Sequence, residues 1–391
     1  MMNENLIQRI AAAMNRKIDS IPSNLRPFTT EYGVLPRTAI LTGLRGTGKT
    51  TFLLHHAVKS EKRILYLSAD NPIVSAEQLY DCVSYIFLKG YDGVIVDEVH
   101  FAKDWSLHLK ALSDDFPDRS IWASDSSSLI LRQGNADLSR RFVRINMPLM
   151  SFREFLFLEM GASYDKYKFA STQIPVKPSS DILQLFNTYK EMGTRPFYKE
   201  GNYSEKALAL LDKTMSSDVP FFVPQITANN IRLMSSVVGT LAYSAIPRIQ
   251  VRSLCSDWAL SADKLYQLLN VMEAVGIIRI IRYENDNKAK SSGAKIFLSD
   301  PCLYSVLNGN EGSRREAFAT MILSEAGYKV DASKNETFGD FIIGRAYTNE
   351  RFPIEIGGKN KTIKQSDYVI RDGTDYPVDK AIPLWLLAML W

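Results

Sequence analysis

Along the first 150 positions, short apolar runs alternate with segments of helical period. The runs are Thr38–Leu41, Arg63–Ser68, Val94–Val96, Ser120–Ala123 and Arg144–Met147, and all but the last close on polar residues. Apolar runs alternating with amphipathic helices predict an α/β domain on a parallel sheet, with ligands taken at the C-terminal ends of its strands. A helix precedes it, with Leu6, Ile7, Ile10, Ala11 and Met14 at helical spacing. After Ser151 the runs stop. Residues 152–245 read as helices interrupted by Pro175, Pro178, Pro196, Pro220 and Pro224. Between Ile249 and Asp300 the order changes to a helix at Ser253–Trp258, a turn, a helix at Ser261–Val275, and two apolar runs, Gly276–Ile281 and Lys295–Leu298. Helix, turn, helix and hairpin is the outline of a winged helix. From Glu311 a helix carrying Phe318, Met321 and Ile322 leads into strands at Phe341–Ile343 and Pro353–Ile356. The expected domains are therefore 1–150, 151–245, 246–305 and 306–391.

Composition narrows the class. With 391 residues, 46% apolar and 23% charged, the chain has the balance of a multidomain globular protein. Cys82, Cys255 and Cys302 are widely spaced and form no C-x-x-C pair, which argues against a disulfide framework or zinc site and fits a cytoplasmic protein. No apolar run approaches the ~20 residues that span a bilayer, and the greasy end Ile382–Trp391 is too short, so no membrane partner is expected. The net charge of +4 permits an anionic partner without demanding one.

The chemistry concentrates in Gly43-Leu44-Arg45-Gly46-Thr47-Gly48-Lys49-Thr50, followed by Thr51. This is a complete G-x-x-x-x-G-K-[ST] phosphate loop between a strand and a helix, the context the motif requires. Its backbone N–H groups and the helix N-terminus would cradle phosphate oxygens. Lys49 would reach the β/γ-phosphates and the Thr50 hydroxyl would ligate Mg²⁺. Downstream, Gly93-Val94-Ile95-Val96-Asp97-Glu98 places Asp97 to hold the metal and Glu98 to act as general base toward water. Ser124, at the next strand tip, is placed near the γ-phosphate or the water. Arg140 and Arg141 form either a surface basic pair or an arginine finger reaching a neighbouring subunit. ATP and Mg²⁺ are the expected ligands. Asp97-Glu98-Val99-His100 also spells a D-E-x-H box, but the second RecA-like half a helicase needs is not found after residue 150.

In this combination the chain resembles the prokaryotic AAA+-type ATPases that join a phosphate-loop domain to a winged helix and a C-terminal domain of uncharacterised function. The resemblance rests on Leu41–Thr51, Tyr66–Pro72, Val96-Asp97-Glu98 with Asp104-Trp105, Ser124–Ser127, Asp137–Arg141, Pro148–Phe155, Ile354–Lys361 and Ile382–Leu386. It implies that Arg141, rather than Arg140, is the finger, and that 151–245 form a helical lid. It also implies a C-terminal fold similar to PD-(D/E)xK nucleases, with a site at Glu316, Asp340, Glu355 and Lys359. The chain departs from the family in two places. Ser124-Asp125-Ser126 replaces Thr-Gly-Ser and adds a carboxylate near the γ-phosphate, and Gly357 stands where the nuclease lysine is usual, so that Lys359 would reach in instead.

The expected function is a Mg²⁺-dependent ATPase coupling nucleotide state to a winged-helix and nuclease-like module, with duplex DNA as partner and a homo-oligomer if Arg141 acts in trans. The alternative is a nucleotide-gated signalling or scaffolding protein that binds another protein and carries an inactive C-terminal domain. From Arg248 to Asp300 eight basic residues face six acidic ones, a weak footprint for DNA, with Lys288, Lys290 and Lys295 clustered on the wing.

Overall fold

A computed structural model of the chain describes residues 2–126, 138–222, 227–247, 251–284, 286, 295–335, 337–345 and 350–391. Ser127, Asp137, Lys288 and Lys290 lie outside the described residues. The chain divides into two compact units, Met1–Leu149 and Met150–Trp391.

The first unit is built on five parallel strands: β1 (Thr38–Thr42), β2 (Ile64–Ser68), β3 (Gly93–Asp97), β4 (Ser120–Asp125) and β5 (Val143–Asn146). Their order in the sheet is β2-β3-β4-β1-β5, all parallel. Side chains alternate along a strand, so each run feeds two cores. Ile40, Leu65, Val94, Val96 and Ile121 pack on one face with Val83, Ile86 and Leu109. Ala39, Leu41, Tyr66, Ile95 and Trp122 pack on the other with Phe52, Leu53 and Ala57. Burial on both faces is why these strands read as unbroken apolar runs. At about 1.5–3 kcal/mol for each fully buried large aliphatic or aromatic side chain, the two cores hold the strand ends in place against loop strain. All five runs expected from the sequence are strands, and β5 lies at the sheet edge beside β1.

In the second unit a helix at Phe152–Met160 starts on a capping box, with the Ser151 hydroxyl and Glu154 carboxylate satisfying each other's backbone N–H, and stops at Gly161 with φ +68°. Helices at Ser180–Met192, Tyr203–Lys213 and Ala228–Tyr243 follow. Helices Val251–Asp257 and Ala262–Ala274 then lead into an antiparallel pair, β6 (Ile278–Ile281) and β7 (Lys295–Leu298).

A long helix, Glu311–Glu325, precedes a mixed sheet of β8 (Tyr328–Ala332), β9 (Phe341–Arg345), β10 (Arg351–Gly357), β11 (Tyr368–Arg371) and β12 (Ala381–Pro383). The order is β12-β11-β10-β9-β8, antiparallel from β8 to β10 and parallel from β10 to β12. Only β9 and β10 were expected as strands. β8 and β11 mix apolar with charged residues and β12 has only three residues, so their apolar pattern is weak, and pairing within the sheet is what makes them strands. The chain end forms a buried helix, Leu384–Leu387, with Trp385 donating to the Asp375 carbonyl at 2.9 Å. Among the described residues no helix is long and apolar enough to cross a membrane.

Candidate functional site

The phosphate loop spans the gap between β1 and the helix Lys49–Lys59. Glycine is required where the chain leaves β1. Gly43 has φ +154°, and a Cβ there would stand 2.3 Å from the Met147 carbonyl oxygen. The Thr47 hydroxyl donates to Leu44 O at 2.9 Å, and Arg26 donates to Thr47 O at 3.0 Å and to Pro148 O at 3.1 Å. These bonds hold the loop in shape from behind. Lys49 is buried and donates to the loop carbonyls of Gly43 (2.8 Å) and Leu44 (3.0 Å). Burial pulls its ammonium below the usual lysine range, against the raising effect of Glu98, Asp97 and Asp125.

Three elements converge on Asp97. The Thr50 hydroxyl donates to its Oδ2 at 2.7 Å and the Tyr66 hydroxyl to the same oxygen at 2.6 Å, while Ser124 donates to Oδ1. Ser124 thus meets Asp97 from the neighbouring strand. Its hydroxyl also accepts from the Glu98 N–H at 3.4 Å. Tyr66 was not anticipated as a site residue. Its place two residues before the end of β2, on the same face as Ser68, which pairs with Asp97 in register, is the signal that would have found it.

Glu98 has left-handed backbone, φ +51° and ψ +49°, which turns its carboxylate from the strand back toward the loop. There Arg45 donates to both carboxylate oxygens, at 3.0 and 3.4 Å, and Ser126 donates to Oε2 at 3.2 Å. Burial raises the Glu98 carboxyl above its ordinary value, with Lys49 and Arg45 opposing and Asp125 and Asp97 adding to the shift.

Asp125 is fully buried and turned to His100, whose Nδ1 lies 2.6 Å from Asp125 Oδ2 and whose backbone N–H donates to the same oxygen at 3.3 Å. The expectation of a carboxylate presented to the γ-phosphate is therefore corrected: the Asp125 carboxylate is turned to the buried His100 ring. Glu98, His100 and Asp125 bring ligand atoms within 4.8 Å of one another. The His100–Asp125 bond and the Arg45–Glu98 pair account for that closeness without an ion.

Arg141 is elsewhere. Its carbonyl accepts from the Thr38 hydroxyl at the start of β1, the end of the strand opposite the phosphate loop. Its guanidinium is paired with Asp114 at 2.8 and 2.9 Å, which holds that carboxyl below its usual range. The length of β1 separates it from the phosphate loop of its own chain, and Arg140 is exposed.

In the second unit, the register pairing Phe341 with Ile354 brings Asp340 beside Glu355. Asp340 Oδ2 accepts from the Ile356 N–H at 3.1 Å, and Glu355, fully buried, accepts from the Lys364 N–H at 3.2 Å. Lys359 is exposed and is not the lysine of this cluster. Lys361 is: its ammonium lies 3.4 Å from Asp340 and 3.3 Å from Glu355. A Cβ built on Gly357 would fall 2.6 Å from the Cβ and Cγ of Lys361. The Lys361 side chain therefore occupies the room a side chain at 357 would need, which is why the sequence spacing misplaced it. Burial lowers the Lys361 pKa, but Asp340 and Glu355 together outweigh it and leave it raised.

Glu316 joins from the helix Glu311–Glu325 and pairs with Lys295 at 3.1 Å. Burial raises its carboxyl, with Lys295 opposing and Asp340 adding to the shift. Lys295, expected on an exposed wing, is buried against Glu316 and over the Phe341 ring at 4.3 Å.

No curated protein matches the chain in sequence. Among solved structures, the Walker-type ATPase of Pyrococcus abyssi is 13% identical with a TM-score of 0.39, covering 76% of this chain and 95% of its own. A katanin chain, from a structure of katanin self-assembly, is 16% identical with a TM-score of 0.32, covering 61% and 86%. Residues 36–156, which hold the phosphate loop, Asp97, Glu98 and Ser124, match the family model of an AAA domain.

Proposed function

We propose that the chain is a Mg²⁺-dependent ATPase of AAA type. The convergence of Thr50 and Asp97, 2.7 Å apart, beside a complete phosphate loop carries this reading. Gly43 to Thr51 would wrap the phosphates, with Lys49 as the close cation. Thr50 and Asp97 offer hard oxygen donors that fit Mg²⁺, which when bound neutralises charge on the β- and γ-phosphates. Glu98 receives a proton from the attacking water, and its raised pKa suits that task. Ser124 orients Asp97 and the Glu98 backbone. Arg141, at the opposite end of β1, would serve only the nucleotide of a second copy, so this part of the reading includes a homo-oligomer. Cys82, Cys255 and Cys302 are free, which suits the cytoplasm.

Lys49→Ala is expected to abolish ATP binding. Glu98→Gln should keep it and lower turnover by about 10²- to 10⁴-fold. ATP affinity unchanged in Lys49→Ala, measured by calorimetry, overturns the assignment.

Within the second unit we propose a helical lid at 151–245, a winged helix at 246–305 and a nuclease-like domain at 306–391 that transmit nucleotide state to a partner. Lys361 favours the reading in which this last domain binds without cutting. Asp340 and Glu355 suit a divalent cation by donor type, but the Lys361 ammonium already spans them. The helix Ala262–Ala274 exposes Asp263 and Lys264 side by side, and Lys295 is withdrawn, so charge on the described residues favours a protein partner over duplex DNA. Mn²⁺-dependent cleavage of duplex DNA that disappears in Asp340→Ala would overturn this.

A further inference from the structure

The least expected contact in the phosphate-loop unit is between Arg45 and Glu98. Arg45 is the third residue of the loop, a position whose motif role is backbone only. Its side chain nevertheless donates to both Glu98 oxygens, and with Ser126 on Oε2 the carboxylate has three donors. Three donors fill most of the roughly four lone-pair sites of a carboxylate and leave little room for the proton of an attacking water. The two side chains are 9% and 16% exposed, so the pair is largely buried against the loop that would take the phosphates. Lys49, the motif's own cation, is turned to the carbonyls of Gly43 and Leu44. Arg45 is thus the cation in direct contact with Glu98.

We propose that Arg45 is a γ-phosphate sensor that controls the general base: it pairs with Glu98 when no triphosphate is bound and passes to the γ-phosphate of ATP, releasing the carboxylate. This rests on the ATPase reading above. A base that activates water for attack on the γ-phosphorus must stand beside the γ-phosphate, and a guanidinium 3.0 Å from that base stands there too. The γ-phosphate carries more charge than a carboxylate and presents the paired oxygens that the planar fork of arginine matches. ADP lacks that group and leaves the pair closed. Once released, Glu98 takes a proton from water. The water oxygen bonds to the γ-phosphorus as the bond to the bridging oxygen breaks, and that electron pair leaves on the β-phosphate of ADP. Arg45 would then supply within one chain the charge stabilisation expected of a finger from a neighbour. It acts on the base through pairing and on the phosphate through contact.

The test compares binding of the non-hydrolysable β,γ-imido analogue of ATP and of ADP by calorimetry, alongside steady-state hydrolysis. Arg45→Ala should weaken the analogue by about 10- to 100-fold with little change for ADP, and should lower kcat. Arg45→Lys should restore part of the analogue affinity, since it returns the charge without the fork. Glu98→Gln should tighten the analogue several-fold by freeing Arg45, and this gain should vanish when Arg45→Ala is added. A merely structural ion pair would not produce that coupling. An unchanged ratio of analogue to ADP affinity in Arg45→Ala, or an identical gain from Glu98→Gln with and without Arg45, overturns the proposal. Lys49→Ala separates the two levels. If it abolishes binding of both nucleotides while Arg45→Ala alters neither, the sensor fails and the ATPase reading stands. If Lys49→Ala binds both normally, the ATPase reading itself fails.

Discussion

Two carboxylate sites in this chain each carry their own cation, and they differ in how deeply the negative charge is buried. In the phosphate-loop unit Arg45 holds Glu98, whose side chain keeps 16% of its exposure and has Ser126 as a further donor. In the second unit Lys361 lies between Asp340 and Glu355, and Glu355 has no exposure at all. Glu98 keeps some water to turn to when its cation leaves, so its pair can yield to a ligand. A fully buried carboxylate depends on its cation, because the charge left behind has no water to turn to. The same chemistry is therefore suited to switching in one place and to structural support in the other.

The largest effect expected from this contrast is at Lys361. Lys361→Met should cost about 3–5 kcal/mol in urea denaturation of the full chain, by stranding the buried Glu355 charge. The double variant Lys361→Met with Glu355→Gln should recover most of that loss. A single variant costing under ~1 kcal/mol would break the comparison, by showing that Glu355 does not need its lysine.

Next in size is His56, on the phosphate-loop helix. It is buried against Phe52, and its Nε2 has no hydrogen-bond partner. Burial pulls its pKa from 6.5 to about 4. The unfolded chain therefore takes up a proton between these values that the folded chain refuses. Stability contributed by the neutral ring is complete above pH 6.5 and is lost as pH falls toward 4, by up to ~3 kcal/mol. His56→Leu should flatten the fall in melting temperature across that window, and an unaltered slope would show that other groups drive it.

The smallest effect is at Arg45. Arg45→Met should cost nucleotide-free stability about 1–2 kcal/mol, since the mostly buried Glu98 loses a charged partner but retains Ser126 and some solvent. A loss as large as that at Lys361 would make the first pair structural too, and the contrast would collapse.

Most of what was legible in advance follows from neighbours in sequence. The five runs of the first unit announced strands because each is buried on both faces. Gly43 to Thr50 announced a loop because its spacing is dictated by one strand, one turn and one helix. Asp340, Glu355 and Glu316 were also placed in one region, through family resemblance rather than local pattern. What was missed depends on side chains from distant elements. Nothing local to Asp125 shows that His100 will face it, and nothing local to Arg45 shows that Glu98 will turn back through a left-handed residue to meet it. Lys359 was chosen over Lys361 by its spacing from Glu355. The chain beyond Gly357 bends so that Lys361 fills the space left by the missing side chain, and a count of residues cannot register that bend.

The sequence by itself determined that this chain has a parallel α/β unit with a phosphate loop, because period and motif act over a few consecutive residues. Only the tertiary structure decided which cation meets which carboxylate and how much water reaches each pair. Those outcomes depend on strand order, register and backbone turns that bring residues 53 positions apart, as Arg45 and Glu98 are, within 3.0 Å. Burial is a property of the assembled fold, and burial sets whether a charge pair yields to a ligand or holds the structure together.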